Sequence, residues 1–419
     1  MISPRESWRA EPPHIPAGQP YAPARGGSLF EIDFNVQPFT VAWEITRACA
    51  LACVHCRASA IPRRDPAELS TQEALRFIEQ VVDIGRPILV VTGGDPMMRE
   101  DVYELLGYGV QRGLRVALSP SATGRVTRRS LERVRDSGVH MLHVSLDGST
   151  AELHDGFRGV RGSYQRTLCI LREARDLGFL IQVGTSVSRY NLRDLPAIAG
   201  QVSAWSDVWT LFFLVPTGRG RVDQMLGASE HEAVLTWLHK LSKRVRFHVR
   251  TIAAQHYRRV VIAAERQAKS GAQADGGEPP RWKLTGAGFS VRGQGGAVPP
   301  AMRGVNDGNG FCFVSHTGEV CPSGFLPISA GNVRERPLAE IYRTSPLFRE
   351  LRSPELLKGK CGRCEYRFVC GGSRARAYAV TGDYLAEDSC CAYVPPAMQA
   401  DPSFTAHSHR VYAPFPPAD

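Results

Sequence analysis

Thr46-Arg-Ala-Cys49-Ala-Leu-Ala-Cys53-Val-His-Cys56 is the stretch on which the reading of this chain turns. Its cysteines are spaced C-x3-C-x2-C. Three thiolates on one loop match three irons of a cubane cluster and leave the fourth iron open, as a catalytic metal centre requires. Two other readings share the spacing. With His55 as a fourth donor the loop suits a tetrahedral zinc site, and three cysteines can also simply be packed.

Outward from that loop, short apolar runs alternate with stretches of helical period. The runs cover 39–45, 88–92, 115–119, 141–146, 181–187 and 210–215, and most are β-branched or aromatic. Residues 70–84 and 163–177 repeat apolar positions at helical spacing, and Ser70 with Glu73 spells a capping box. Residues 229–244 read as a further amphipathic helix. Strand–helix alternation of this length predicts an α/β fold of βαβ units on a parallel sheet. Six units make an open, partial (β/α)6 barrel. The site of such a fold lies at the carboxyl ends of its strands. Cys49 follows the first run; Gly93, Gly94 and Asp95 follow the second; Ser121 follows the third; Ser145 and Asp147 close the fourth; residues 216–218 follow the sixth.

The domain division that results is a flexible leader at 1–37, a barrel core at 38–250, a Gly-, Pro- and Ala-rich linker or active-site loop at 251–310, a Cys-rich module at 311–395 and a tail at 396–419. In the module, Cys361, Cys364 and Cys370 are spaced C-x2-C-x5-C, and Cys390 and Cys391 follow. Three ligands plus one distant ligand suit a fully coordinated 4Fe–4S cluster, and equally a structural zinc. Cys169 stands alone in an apolar stretch and is expected in the core.

Composition narrows the partners. The 419 residues, 43% of them hydrophobic, allow one large domain and a smaller appendage. The eleven cysteines are an odd number, and no apolar signal core precedes them, so a reducing, cytoplasmic setting is expected, where clustered cysteines mean metal or catalysis. The net charge of +10 suits nucleic acid, an anionic membrane face or a small acidic substrate, or is merely scattered over the surface. No dense Lys/Arg block and no nucleic-acid motif is evident, which argues against nucleic acid. No run approaches the roughly eighteen apolar residues of a membrane span.

The triad, its place after the first strand and His55 before the third cysteine resemble the radical S-adenosylmethionine (SAM) superfamily, and the resemblance covers nearly the whole chain. Thr92-Gly-Gly-Asp95-Pro resembles that family's glycine-rich segment, which hydrogen-bonds the methionyl amino group of SAM; Asp95 replaces the usual Glu. Ser145-Leu-Asp147-Gly resembles the ribose-binding segment. His154-Asp-Gly-Phe-Arg158-Gly resembles a segment whose Arg pairs with the SAM carboxylate. Ser121 occupies a slot that is often Asn, and Leu214 and Val215 match the backbone that borders the adenine. The resemblance implies a 4Fe–4S cluster on Cys49, Cys53 and Cys56, SAM on its open iron, reductive cleavage to a 5′-deoxyadenosyl radical, and a reductant such as flavodoxin or ferredoxin.

The Cys-rich module resembles the SPASM domain of the same superfamily, whose full form carries two auxiliary clusters. Ser373 and Ser323 stand where two of its cysteines are expected. The resemblance therefore implies one auxiliary 4Fe–4S cluster, on Cys361, Cys364, Cys370 and either Cys390 or Cys391. Cys312 and Cys321 are left as remnants or as an unusual second site. Residues 93–99, 214–219, 256–259, 310–316 and 361–376 further resemble radical SAM proteins that remodel tetrapyrroles, namely the heme synthase of the siroheme-dependent route and the heme d1 biosynthesis protein, which act on propionate side chains. That likeness implies Arg219, Arg258, Arg259, Arg374 and Arg376 as anion holders, and His256 and His316 as contacts to a ring or its metal. Each has a plainer reading, as a solvated arginine or a hydrogen-bonded structural histidine. A second enzyme reading is a maturase of ribosomally made precursor peptides. A third is an iron–sulfur or zinc regulator, which requires a DNA-binding element that the sequence does not display.

Overall fold

In the computed structural model, which describes residues 32–270, 283–285, 288–290 and 304–399, each of the six apolar runs becomes a strand: β1 (Thr40–Glu44), β2 (Ile88–Thr92), β3 (Arg115–Leu118), β4 (Met141–Ser145), β5 (Leu180–Val187) and β6 (Val208–Phe213). They pair in sequence order and in parallel. Helices α1 (Thr71–Asp83), α2 (Val102–Gln111), α3 (Arg128–Asp136), α4 (Ala151–Arg158), α5 (Ser163–Asp176) and α6 (Leu195–Trp205) fall between them. The capping box forms: Ser70 Oγ accepts from Glu73 N at 3.3 Å, and Glu73 accepts from Ser70 N at 2.8 Å.

Alternation along each strand sorts the two faces. Val41, Trp43, Leu89, Val91, Leu142, Val144, Ile181, Val183, Trp209 and Leu211 face the helices and form the main core with Phe77, Ile78, Leu106 and Leu171. The alternate positions face the lumen and carry the polar side chains of the site.

The sheet is larger than six strands. After α7 (Ala228–Ser242), β7 (His248–Ile252) adds to β6 in parallel, and α8 (His256–Ser270) follows. His248 and Arg250 on its lumen face kept this strand from reading as an apolar run. Residues 251–270, expected as linker, are thus the end of β7 and a helix, and a short hairpin of β8 (Lys283–Thr285) and β9 (Gly288–Ser290) lies further along that region. At the other edge, β10 (Phe311–Val314) pairs in parallel with β1 and β11 (Val320–Cys321) pairs antiparallel with β10, giving the order β11-β10-β1-β2-β3-β4-β5-β6-β7. The Cys-rich module therefore extends the barrel sheet itself. It continues through α9 (Leu338–Thr344), α10 (Pro346–Leu351), α11 (Gly359–Arg363) and α12 (Arg374–Thr381).

Residues 1–31 of the expected leader, most of 271–303 and residues 400–419 of the tail lie outside the described residues. Cys169 corrects an expectation: it lies on the exposed side of α5, while its neighbour Ile170 takes the core position. Among the described residues no helix is long and apolar enough to cross a membrane.

Candidate active site

The cysteine loop leaves the carboxyl end of β1 and is tied down by the segments after β2 and β6 and by the end of α4. Gly94 N donates to Thr46 O and Asp95 N to Ala48 O, both at 2.7 Å. Ala52 N and Val54 N donate to Arg158 O and Phe157 O at the end of α4, and Arg219 N donates to Cys56 O at 3.0 Å. Thr46 Oγ1 donates to the buried Glu68 at 2.6 Å, and the Arg47 guanidinium caps Ala58 O and Ser59 O. His55 stacks on Phe157, with ring centroids 4.0 Å apart, and burial lowers its pKa to about 3, so it is neutral.

All three cysteines open on one cavity of about 200 Å³, shared with Gly93, Gly94, Ser121, Ser145, Arg158, Leu214 and Val215. Sequence positions from five strand ends thus converge on one space. Leu51 N reaches Cys49 Sγ at 3.3 Å, Ala60 N reaches Cys56 Sγ at 3.4 Å and Arg158 Nη1 lies 3.7 Å from Cys53 Sγ. Such N–H and guanidinium donors favour thiolate over thiol and so fit cluster ligation. Burial pushes the Cys49 thiol up, so without iron it stays protonated. Among the described residues no three His, Cys, Asp or Glu side chains converge on a single-ion position, so the fit rests on the loop, its shared cavity and its donors.

Three expected SAM contacts are engaged within the protein. Asp95 is fully buried beneath the cavity, accepting from Thr123 Oγ1 at 2.6 Å, Met97 N at 3.2 Å and Ser121 N at 3.3 Å. It shapes the turn and does not line the space. Asp147 is likewise buried, accepts from Ser186 N at 2.6 Å and is ion-paired with Arg158. The Arg158 guanidinium, expected to meet a SAM carboxylate, is held against Asp147 and Cys53 on the cavity wall. Ser121 Oγ donates to Gly94 O at 2.7 Å and accepts from Cys49 Sγ at 3.6 Å, linking the second and third strand ends to the loop.

The second cysteine group closes on itself. Cys391 lies within electrostatic reach of Cys361, Cys364 and Cys370 and acts upward on each of their thiols. Cys390 points away: its Sγ donates to Leu226 O at 3.4 Å and packs with Leu214 and Met225. Backbone N–H groups of Asp388, Tyr366 and Gly372 reach Cys361, Cys364 and Cys370 at 3.5, 3.4 and 3.5 Å. Burial raises all three thiols, Cys364 to about 12; it also acts upward on Cys391, but His256 and Arg259 outweigh it and bring that thiol down. These four residues fit a closed auxiliary cluster.

Cys312 and Cys321 do not join in one site. Cys321 is paired with Phe313, so it shares that residue's lumen-side face, over which the Arg57 guanidinium lies at 4.7 Å. Cys312, next to Phe313, points to the opposite face and is buried in the main core. Ser373, standing in a cysteine slot, caps α12 by accepting from Arg376 N at 3.2 Å.

Most expected substrate residues are already engaged. Arg258 donates to Val369 O and Val305 O, Arg374 to Tyr384 O and Ala386 O, and Arg376 to Asp388 and Ala253 O; Arg259 is ion-paired with Glu232. His256 Nε2 lies 3.3 Å from Asp388 Oδ2. Burial acts to lower its pKa, but that carboxylate overrides it and raises it to about 9. His316 lies between Glu44, 2.9 Å from Nδ1, and Asp65, 3.7 Å from Nε2. Each of these side chains is thus held in place, although Arg259 Nε, Arg374 Nε, Arg376 Nη1 and the His256 ring nitrogens have no hydrogen-bond partner among the described residues. Arg219 goes further: two of its donors, Nε and Nη2, are buried without a hydrogen-bond partner among the described residues. Sequence reasoning missed Asp388, a fully buried carboxylate that gathers Arg376, His256 and the backbone of Ser373 and Cys390. It also missed His143, whose two-residue offset from Ser145 on β4 places it on the same face.

Two family models match the chain: the Radical SAM superfamily over residues 43–199 and the SPASM iron–sulfur cluster-binding domain over residues 306–365. The AdoMet-dependent heme synthase of Nitratidesulfovibrio vulgaris is 42% identical over 363 residues, which is 85% of this chain and 93% of that protein. The Fe-coproporphyrin III synthase of Methanosarcina barkeri is 30% identical over 87% of this chain and 90% of its own length. Among solved structures, Streptococcus suis SuiB bound to precursor peptide SuiA superposes with a TM-score of 0.64 at 14% identity, covering 85% of this chain and 76% of that one. At that identity the likeness is one of fold.

Proposed function

This chain belongs to the radical SAM superfamily, in the group that carries a SPASM iron–sulfur module, and on that footing we propose that it acts on the propionate side chains of a tetrapyrrole in heme-type biosynthesis. One observation carries the reading: a relative named as a heme synthase matches nearly end to end at 42% identity. When bound, the 4Fe–4S cluster and SAM supply a 5′-deoxyadenosyl radical that takes hydrogen from the substrate. The residues of this chain would do the rest. The N–H donors at Cys49 and Cys56 hold the loop thiolates. The Gly93–Gly94 backbone and the apolar Leu214 and Val215 wall would bind SAM and keep water from the reacting carbon. Arg219 offers its uncommitted fork to a carboxylate. Cys361, Cys364, Cys370 and Cys391 would hold an auxiliary cluster near Arg374 and His256, cationic surroundings that favour taking up an electron. A small reductant protein such as flavodoxin or ferredoxin and a cytoplasmic setting complete the proposal.

The peptide-maturase reading is weaker, since the peptide-bound neighbour shares the fold alone. The test is anaerobic reconstitution followed by mass spectrometry of products from an iron porphyrin with four propionates and from candidate peptides. Cys53→Ala is expected to abolish deoxyadenosine release. Cys364→Ala is expected to release deoxyadenosine without turning over the tetrapyrrole. If wild-type enzyme releases deoxyadenosine yet returns every tetrapyrrole unchanged, the substrate assignment fails.

A further inference from the structure

The barrel lumen holds three polar side chains that the chemistry above does not use. Ser145 of β4, Gly184 of β5, Thr210 of β6 and Arg250 of β7 are register partners across four strands, so their side-chain positions share the lumen face. Val249, beside Arg250, packs in the outer core, as alternation requires. His143, one lumen position before Ser145, leans into the room that Gly184 leaves, for a Cβ on Gly184 would collide with His143 Nε2. His143, Thr210 and Arg250 thus neighbour one another around a residue without a side chain.

Each has an uncommitted polar atom. His143 Nε2 and Thr210 Oγ1 are buried without a partner among the described residues, and Thr210 is only 1% exposed. Arg250 makes no hydrogen bond or ion pair among the described residues. Burial is the sole cause acting on it and lowers its pKa to about 10, so it stays charged with no carboxylate to offset it. A half-buried guanidinium without a carboxylate partner is suited to receive an anion.

We infer that His143, Thr210 and Arg250 form a carboxylate subsite in the lumen that takes a propionate of the substrate. The inference rests on the tetrapyrrole reading above. Ser119 Oγ lies 2.9 Å from His143 Nδ1. When Ser119 donates there, Nε2 carries the proton and presents it to the lumen, beside the threonine hydroxyl and the arginine fork. His143 is neutral near pH 7, since burial holds it down to about 4. β7 is an edge strand of the nine-stranded sheet, with His248 and Ile252 exposed, and His143 also lines the cavity shared with the cysteines, so the subsite lies between that cavity and the sheet edge.

The test uses the anaerobically reconstituted full-length enzyme and an iron porphyrin with four propionates, titrated by its Soret absorbance, with SAM affinity measured on the same samples. Arg250→Gln is expected to weaken porphyrin binding roughly ten- to a hundredfold, the loss of one charge-assisted pair, with SAM affinity held within about twofold. Thr210→Val should weaken it by a smaller factor. Arg250→Lys keeps the charge without the fork and should fall between wild type and the Gln variant, which separates lost recognition from lost folding. Unchanged porphyrin affinity in all three overturns the inference, the lumen then holding water only. A rise in the Kd for SAM with porphyrin binding unchanged also overturns it, by giving the carboxylate to SAM. Wild-type enzyme that binds no tetrapyrrole overturns the functional reading and the subsite with it, whereas normal wild-type binding with unaffected variants sinks the subsite alone.

Discussion

Cys390 and Cys391 are adjacent in the chain, and their sulfurs serve different parts of the protein. Cys391 lies within electrostatic reach of Cys361, Cys364 and Cys370 and is the proposed fourth ligand, while Cys390 packs with Leu214 on the cavity wall. Cys391→Ser is therefore expected to remove the auxiliary iron, about half of the total for two 4Fe–4S clusters, as read by iron and sulfide analysis. Cys390→Ser should keep its iron and cost at most about 1–2 kcal/mol in denaturant unfolding, since it only exchanges a packed sulfur for a hydroxyl. Equal iron loss in both variants would refute the assignment. Arginine shows the same selectivity. Arg219 has two unpartnered donors and no side-chain hydrogen bond among the described residues, whereas Arg258 reaches carbonyls at Val305 and Val369 and Arg374 reaches those at Tyr384 and Ala386.

At the scale of elements, the turn after β2 does more than let a cofactor approach. Gly94 lies so close to the cysteine loop that a Cβ there would meet Ala48 O at 2.5 Å and Arg47 O at 2.6 Å. Both are backbone atoms and cannot swing aside. Gly94→Ala is expected to displace the loop, to destabilise the fold by about 1–3 kcal/mol and to lower iron at the triad. Gly107→Ala, inside α2, is the matched control: its Cβ would meet only Ser137 Cβ, at 3.9 Å, and removing a helix glycine should stabilise by roughly 0.5–1 kcal/mol. Denaturant unfolding with iron analysis tests both. The joining of β10 to β1 belongs to this scale too. It makes the Cys-rich module part of the sheet, which a reading by consecutive βαβ units had left as an appendage.

Across the whole molecule, buried neutral histidines set the response to acid. Burial lowers both His143 and His154 to about 4. A base whose folded pKa is depressed gains its proton more readily when unfolded, so stability falls as pH drops below about 6.5 and keeps falling until about 4. At pH 5 each histidine would cost at most about 2 kcal/mol. Urea unfolding of the apoprotein should give a clearly lower free energy at pH 5 than at pH 7, and His154→Asn should narrow that gap. An unchanged gap would show that His154 does not titrate as its burial implies. The sequence alone determined the chemistry of the first loop and the order of six strands and their helices, because cysteine spacing and hydrophobic period are local and survive in one dimension. Tertiary structure decided which cysteine of a pair faces the others, which arginines stay free, and where β7 and β10 lie. Those outcomes depend on burial and on partners far away in the chain: Asp388 for His256, Glu44 for His316, β1 for β10. A pairing between residues so far apart leaves no periodic trace in either segment, so only the folded chain displays it.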